Sequence, residues 1–99
     1  MKTYSGARTI DGIKVTVDEE PLAERYDIER FTNSGFEWTY IGDAPRLLAL
    51  AILADHLGDD ARALALSDAF MRAVTADLDN DWTMTSADID AALAGLETS

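Results

Sequence analysis

The stretch "DAPRLLALAILADHLG", residues 43–58, decides how this chain folds. From Leu47 to Leu57 it is apolar nearly all round, broken only by Asp55 and His56. A surface helix shows one apolar stripe and one polar face, whereas a helix without a polar face must be surrounded by protein. It is expected to be the buried centre of the domain. Its limits are written in the same residues: Asp43 as N-cap, Pro45 in the first turn where a missing N–H costs little, and Gly58 as a C-terminal cap.

On the C-terminal side, Asp59 or Asp60 caps a second helix over about residues 61–76. Leu66, Phe70 and Val74 form its i, i+4, i+8 core stripe, with Arg62, Asp68 and Arg72 outside. A last helix, about residues 87–96, is capped by Thr85 or Ser86, carries Asp88 and Asp90 in its positive first turn, and buries Ile89, Leu93 and Leu96.

On the N-terminal side, residues 2–8 and 13–17 read as two strands joined by a turn at Asp11-Gly12. Ile13, Val15 and Val17 alternate with Lys14 and Thr16, so one face is buried and the other wet. "DEEP", residues 18–21, closes the second strand. Residues 22–41 satisfy neither period and read as a loop or short strand; within them "GFEWTY" places Phe36, Trp38 and Tyr40 on one side if extended, a row of core type. A third strand comes from this segment or from Trp82 to Met84. The expectation is a single α+β domain over residues 1–99: a small antiparallel β-sheet, the N-terminal hairpin plus a short third strand, packed against about three α-helices.

Ninety-nine residues, 47% of them hydrophobic, allow one core and leave little room for an elaborate cleft. There is no cysteine, which excludes disulfides, thiolate metal sites and a cysteine nucleophile. The opening "MKTYSGARTIDG" has no apolar targeting segment, and no apolar run approaches the roughly 18 residues of a membrane span, so a soluble cytoplasmic protein is expected.

Charge is the most unusual property: 19 Asp and Glu against 8 Lys and Arg, a net of −11. Nucleic acids and anionic membranes are gripped by basic surface, so direct binding of either is disfavoured and a basic partner is favoured. No Lys or Arg follows Arg72, while Asp77, Asp79, Asp81, Asp88, Asp90 and Glu97 all do. Solubility or adaptation to a salty cytoplasm is the bland account of the same charge.

No phosphate loop, dinucleotide fingerprint or zinc-helix motif is present. The sole histidine, His56, sits at the end of the buried helix, where packing or an interaction with the helix dipole explains it; Trp38 and Trp82 read as core. Catalytic residues, cofactors and metals are therefore not assigned, and the chain is expected to act by binding. Residues 77–88, "DLDNDWTMTSAD", supply the one alternative, a calcium module with Asp77, Asp79, Asp81, Thr83, Thr85 and Asp88 at ligand positions 1, 3, 5, 7, 9 and 12. Trp82 stands where that loop needs glycine, and Asp88 where it needs a longer glutamate. The loop reads better as one that meets a basic protein: Asp77, Asp79, Asp81, Asp88 and Asp90 stand in for phosphates, with Asp59 and Asp60 as a second cluster.

"MKTY", "GFEWTYIGDAP" running into "LALAILADHLGDDARAL", and "DWTMTSADIDAAL" together resemble a family of small bacterial and mobile-element proteins of uncharacterised function. Size, acidity and the hairpin-plus-helices layout are also similar to anti-CRISPR proteins. That second similarity implies a monomeric, non-catalytic inhibitor that covers a basic DNA-binding surface, such as the large subunit of a type I CRISPR-Cas complex, and stops PAM recognition before guide pairing begins. A generic acidic interaction domain is the remaining alternative.

Overall fold

In the computed structural model, which describes residues 2–33 and 35–97, the first two strands form where alternation places them: β1 (Thr3–Thr9) and β2 (Gly12–Val17). The chain continues through β3 (Glu20–Pro21), α1 (Asp43–Leu57), α2 (Asp60–Ala73), a 3-10 turn over Thr75–Asp77, β4 (Trp82–Thr85) and α3 (Ser86–Glu97). The strands form one antiparallel sheet in the order β3-β2-β1-β4. The fold is therefore α+β, with one strand more than the hairpin-plus-one expectation.

Register sets the two faces of the sheet. Tyr4 is opposite both Val17 and Met84, and Gly6 is opposite both Val15 and Trp82. These residues share the face turned to the helices, and Tyr4, Val15, Trp82 and Met84 are all buried there. Ser5, opposite Thr16 and Thr83, and Ala7, opposite Lys14, lie on the other face. Gly6 is required by the first face: a Cβ built on it would lie 2.4 Å from Trp82 Nε1.

The two hairpin turns use different chemistry. Ile10 and Asp11 make the first turn, with the left-handed step taken by Gly12 at φ 116° and Thr9 Oγ1 donating to Gly12 O at 2.7 Å. "DEEP" closes the second strand at Val17, as read, and also makes the second turn: Asp18 and Glu19 adopt φ 49° and 74°, the positive pair of a tight turn that matches strand twist, and Glu20–Pro21 returns as a two-residue edge strand. Asp18 belongs to the residues that tolerate this region but Glu19 does not, so Glu19→Gly is expected to stabilise the protein by about 0.5–1 kcal/mol through relief of backbone strain. A thermal melt checks it; an unchanged or lower midpoint would show that the turn is unstrained.

Residues 22–41 contain no strand among the described residues, and "GFEWTY" is not the expected row. Trp38 is fully buried, Phe36 is half-buried and Tyr40 is 48% exposed. The cause is Thr39, a β-branched residue at φ 82°, whose N–H donates to Thr75 O at 3.2 Å. That kink breaks the alternation and sends Tyr40 outward.

α1 is covered as its composition requires: Leu47 to Leu53 are all fully buried. Gly42, not Asp43, occupies the N-cap position and makes no side-chain cap; Asp43 adds its charge to the first turn instead. Gly58 closes the helix in the left-handed conformation, donating to Ala54 O at 3.0 Å. α2 starts on Asp59, which accepts from Arg62 N at 3.1 Å, and ends at Ala73, earlier than the stripe suggested. Its buried residues are Ala63, Ser67, Phe70 and Met71, while Leu66 and Val74 are half-buried. The stripe is rotated because Ser67 is satisfied inside: it accepts from Arg46 Nε at 3.0 Å and donates to Leu64 O at 2.8 Å. α3 opens with a reciprocal box in which Thr85 Oγ1 accepts from Asp88 N and Asp88 Oδ2 accepts from Thr85 N, at 3.2 and 2.9 Å. Ile89 and Leu93 are buried as expected, and Leu96 is half-buried. The side chain of Glu97 lies outside the described residues. Among those described, no helix is long and apolar enough to cross a membrane.

Candidate functional site

The chain shuttles between two ends of the sheet, and this divides the acidic residues read from sequence into two groups. Asp81 precedes β4 and accepts from the Arg8 backbone N–H at 3.4 Å, beside the C-terminal end of β1. Asp88 follows β4 at the opposite end, where Ser86 N donates to Lys2 O. A seven-residue strand spans roughly 20 Å, so Asp77, Asp79 and Asp81 do not join Asp88 and Asp90 in one surface. Asp59 and Asp60 belong with the second group, since they follow α1, whose last turn carries Asp55 against Tyr4 and Lys2.

At the Lys2 end the acidic residues singled out from the sequence are engaged by the fold. Asp59 caps α2; Asp60 accepts from Arg25 Nη2 at 3.0 Å; Asp88 serves the α3 box; and Asp90 Oδ1 lies 2.6 Å from His56 Nε2. The expected role of His56 thus gains a named partner, a contact between the end of α1 and the start of α3. Asp55 accepts from Tyr4 Oη at 2.6 Å and from Lys2 Nζ at 3.1 Å. Burial, reinforced by that bond, pushes the Tyr4 phenol well above its ordinary range, so it stays neutral and donating.

At the other end Asp77, Asp79 and Asp81 are all exposed, and neither Asp77 nor Asp79 has a side-chain partner among the described residues. Next to them stands a constellation that no sequence motif announced. Arg8 holds Glu37 with both nitrogens, Nη2 to Oε1 at 2.7 Å and Nη1 to Oε2 at 3.1 Å, and Nη2 also donates to Trp38 O at 3.3 Å. Its guanidinium lies over the Trp38 ring, 4.8 Å from the centroid, and Trp38 meets Trp82 edge-on at 5.8 Å. Both indole N–H groups are buried without hydrogen-bond partners. The only advance signals were an arginine on the core-facing phase of β1 and a glutamate between two aromatics. Arg8 and Glu37 close the core and brace the loop that carries the exposed Tyr40 and Ile41.

The hydrogen bonds from Arg8 hold the Glu37 carboxyl below the usual carboxylate range. A depressed folded-state value means that the pair stabilises the protein above the unfolded glutamate value of about 4.3, and that this contribution disappears as pH falls through the lower folded value. Glu37→Gln is therefore expected to lose about 1 kcal/mol or less at neutral pH, the pair being partly solvated, and to match the wild type in strong acid. Urea melts from pH 7 down to pH 3 check it; a constant difference across that range would sink the assignment.

The calcium register of residues 77–88 is not realised. Asp77 ends the 3-10 turn, residues 82–85 are an extended strand with Trp82 and Met84 in the core, and the Asp88 carboxylate is taken by the Thr85 N–H. An extended strand cannot wrap its odd positions round one ion, and among the described residues no three metal-ligating side chains converge. β4 pairs with β1 through Gly6–Trp82, so the position that a calcium loop would give to glycine carries a buried core side chain on a strand.

Among the described residues no helix packs on the outer face of the sheet, where Lys14 and Thr83 are exposed. That face forms a shallow polar concavity of about 690 Å³ floored by Ser5, Ala7, Thr16 and Thr83, with Lys14, Glu19 and Asp81 at its rim. Ser5 and Thr16 hydroxyls bond each other at 2.9 Å, which keeps the floor low and preorganised. Asp81 thus belongs both to the exposed acidic loop and to this face.

No curated protein and no solved structure shows a significant match to the chain. A family profile does match, over residues 4–95, from β1 to the last turn of α3. On that match the chain belongs to the DUF6166 family, a family of unknown function.

Proposed function

We propose that this protein acts by binding, presenting the Asp77–Asp81 loop and the adjoining rim of the open sheet face to a basic protein surface. The observation that supports it is the contrast between the two ends. Asp59, Asp60, Asp88 and Asp90, at the Lys2 end, are engaged by caps and side-chain pairs, whereas Asp77 and Asp79 are exposed and unpaired beside Asp81. Unpaired like charges repel one another and contribute nothing to folding where they stand, but they steer and retain a cationic partner. The contact set is accordingly narrower than the sequence suggested: Asp77, Asp79 and Asp81, without Asp59, Asp60, Asp88 and Asp90.

The most concrete partner in this class is the basic DNA- or PAM-reading surface of a type I CRISPR-Cas complex, which the loop would occupy in place of phosphates. The experiment is target-DNA capture by that purified complex with the protein in molar excess, at low and high salt. Inhibition that weakens as salt rises, and that falls at least about tenfold in the Asp77→Asn/Asp79→Asn/Asp81→Asn variant, is the expected result. DNA capture unaffected by the wild-type protein would remove the CRISPR version. Equal potency of wild type and variant would remove the acidic loop from the mechanism.

A further inference from the structure

We infer that the free edge of β2 is a binding site for an extended peptide of mixed apolar and basic character, which would add to the sheet as a strand in line with β3. β3 is only two residues long and pairs with Thr16 and Val17 alone. Leu22 N–H then donates to Val15 O at 3.1 Å, and among the described residues no strand pairs with β2 beyond that point. Backbone groups alternate in direction along a strand, so Ile13 directs its N–H and C=O to the same open edge as Val15. An edge of this kind recruits a strand unless something blunts it, and the blunting device here, Pro21, stops short of Ile13.

The edge is not flat against solvent. It is one wall of a groove, in two contiguous parts of about 400 and 240 Å³, whose opposite wall is Phe36 with Glu24. Ile13 is 37% exposed in it, Phe36 is half-buried and Leu22 lies at its base. These residues offer an apolar seat for alternate side chains of an added strand, while main-chain bonds to Ile13 and Val15 would supply the rest of the affinity. Charge selects the occupant. Glu24 borders both parts of the groove; Glu37, which borders one, is already paired with Arg8, and Lys14 borders the other. The free charge is therefore that of Glu24 within a chain of net −11, which favours Lys or Arg beside Glu24 and opposes a second copy of this chain. This surface is separate from the Asp77–Asp81 loop and does not depend on the reading given for it.

The test uses ¹⁵N-labelled full-length protein and the capped peptide acetyl-Arg-Val-Thr-Ile-Lys-amide, with a second peptide of the same sequence N-methylated on alternate residues. Saturation in the range of about 0.1–1 mM is expected, with shifts centred on residues 12–15 and 35–37 and amide exchange at Ile13 and Val15 slowed at least about tenfold. The methylated peptide should give neither. Glu24→Gln, at an exposed position, should weaken binding several-fold, and Asp77→Asn/Asp79→Asn should leave it unchanged. The inference is overturned if neither peptide shifts these residues at about 1 mM, if both peptides act alike, or if the shifts centre on β4 or the acidic loop. Concentration-dependent dimerisation that protects the Ile13 amide without peptide would give the groove to a second copy, and would overturn it too.

Discussion

Gly6→Ala is expected to destabilise the protein by roughly 2–3 kcal/mol, the cost of forcing even one methyl group into a packed core. The added Cβ would stand 2.4–2.7 Å from three ring atoms of Trp82, a side chain that is buried and held edge-on against Trp38. The indole has little room to yield, because Trp38 is fully buried and is itself covered by the Arg8 guanidinium. For a chain of about 100 residues each kcal/mol moves the melting midpoint by roughly 4–8 °C, so the loss is easily measured. Combining Gly6→Ala with Trp82→Phe should recover part of it, leaving a coupling energy above about 1 kcal/mol. Simple additivity of the two changes would show that the glycine is needed for some reason other than Trp82.

Leu48→Ala and Leu50→Ala are expected to cost about 3 kcal/mol each. The two residues are roughly 200° apart around the helix axis, so in an amphipathic helix one of them would be nearly silent. Both are fully buried here, as is every residue from Leu47 to Leu53, because α1 has protein on all sides. Denaturant melts of the two variants check the claim. A loss below about 1 kcal/mol at either position would mean that α1 has a wet face and that the packing around it is looser than described.

The buried helix, the strands of the hairpin and the start of α3 could be read directly, because each is specified by neighbours in sequence. An unbroken apolar run from Leu47 to Ala54 between Pro45 and Gly58, alternation at Ile13, Val15 and Val17, and a Thr-x-x-Asp box at Thr85 and Asp88 act locally. The end of α2 and the phase of its buried stripe could not, since Ser67 is admitted to the core only by Arg46, a residue on another helix. The segment over residues 35–40 failed for the same reason: Thr39 is held at positive φ by a carbonyl from Thr75, a bond no local pattern encodes.

The acidic residues follow the same division. Their number, their excess over basic residues and their concentration after Arg72 belong to the amino-acid order alone, and so does the exclusion of thiol chemistry by the lack of cysteine. Which of them are engaged was decided only when the chain ends, helix ends and strand ends were brought together. Asp60 meets Arg25, Asp90 meets His56, and the pairing of β4 with β1 turns a ligand-spaced loop into a strand with Trp82 inside. Local preferences act over a few residues and so survive in any context that leaves them room. A carboxylate's partner, and with it the surface left over for binding, depends on groups distant in the chain that only tertiary packing sets side by side.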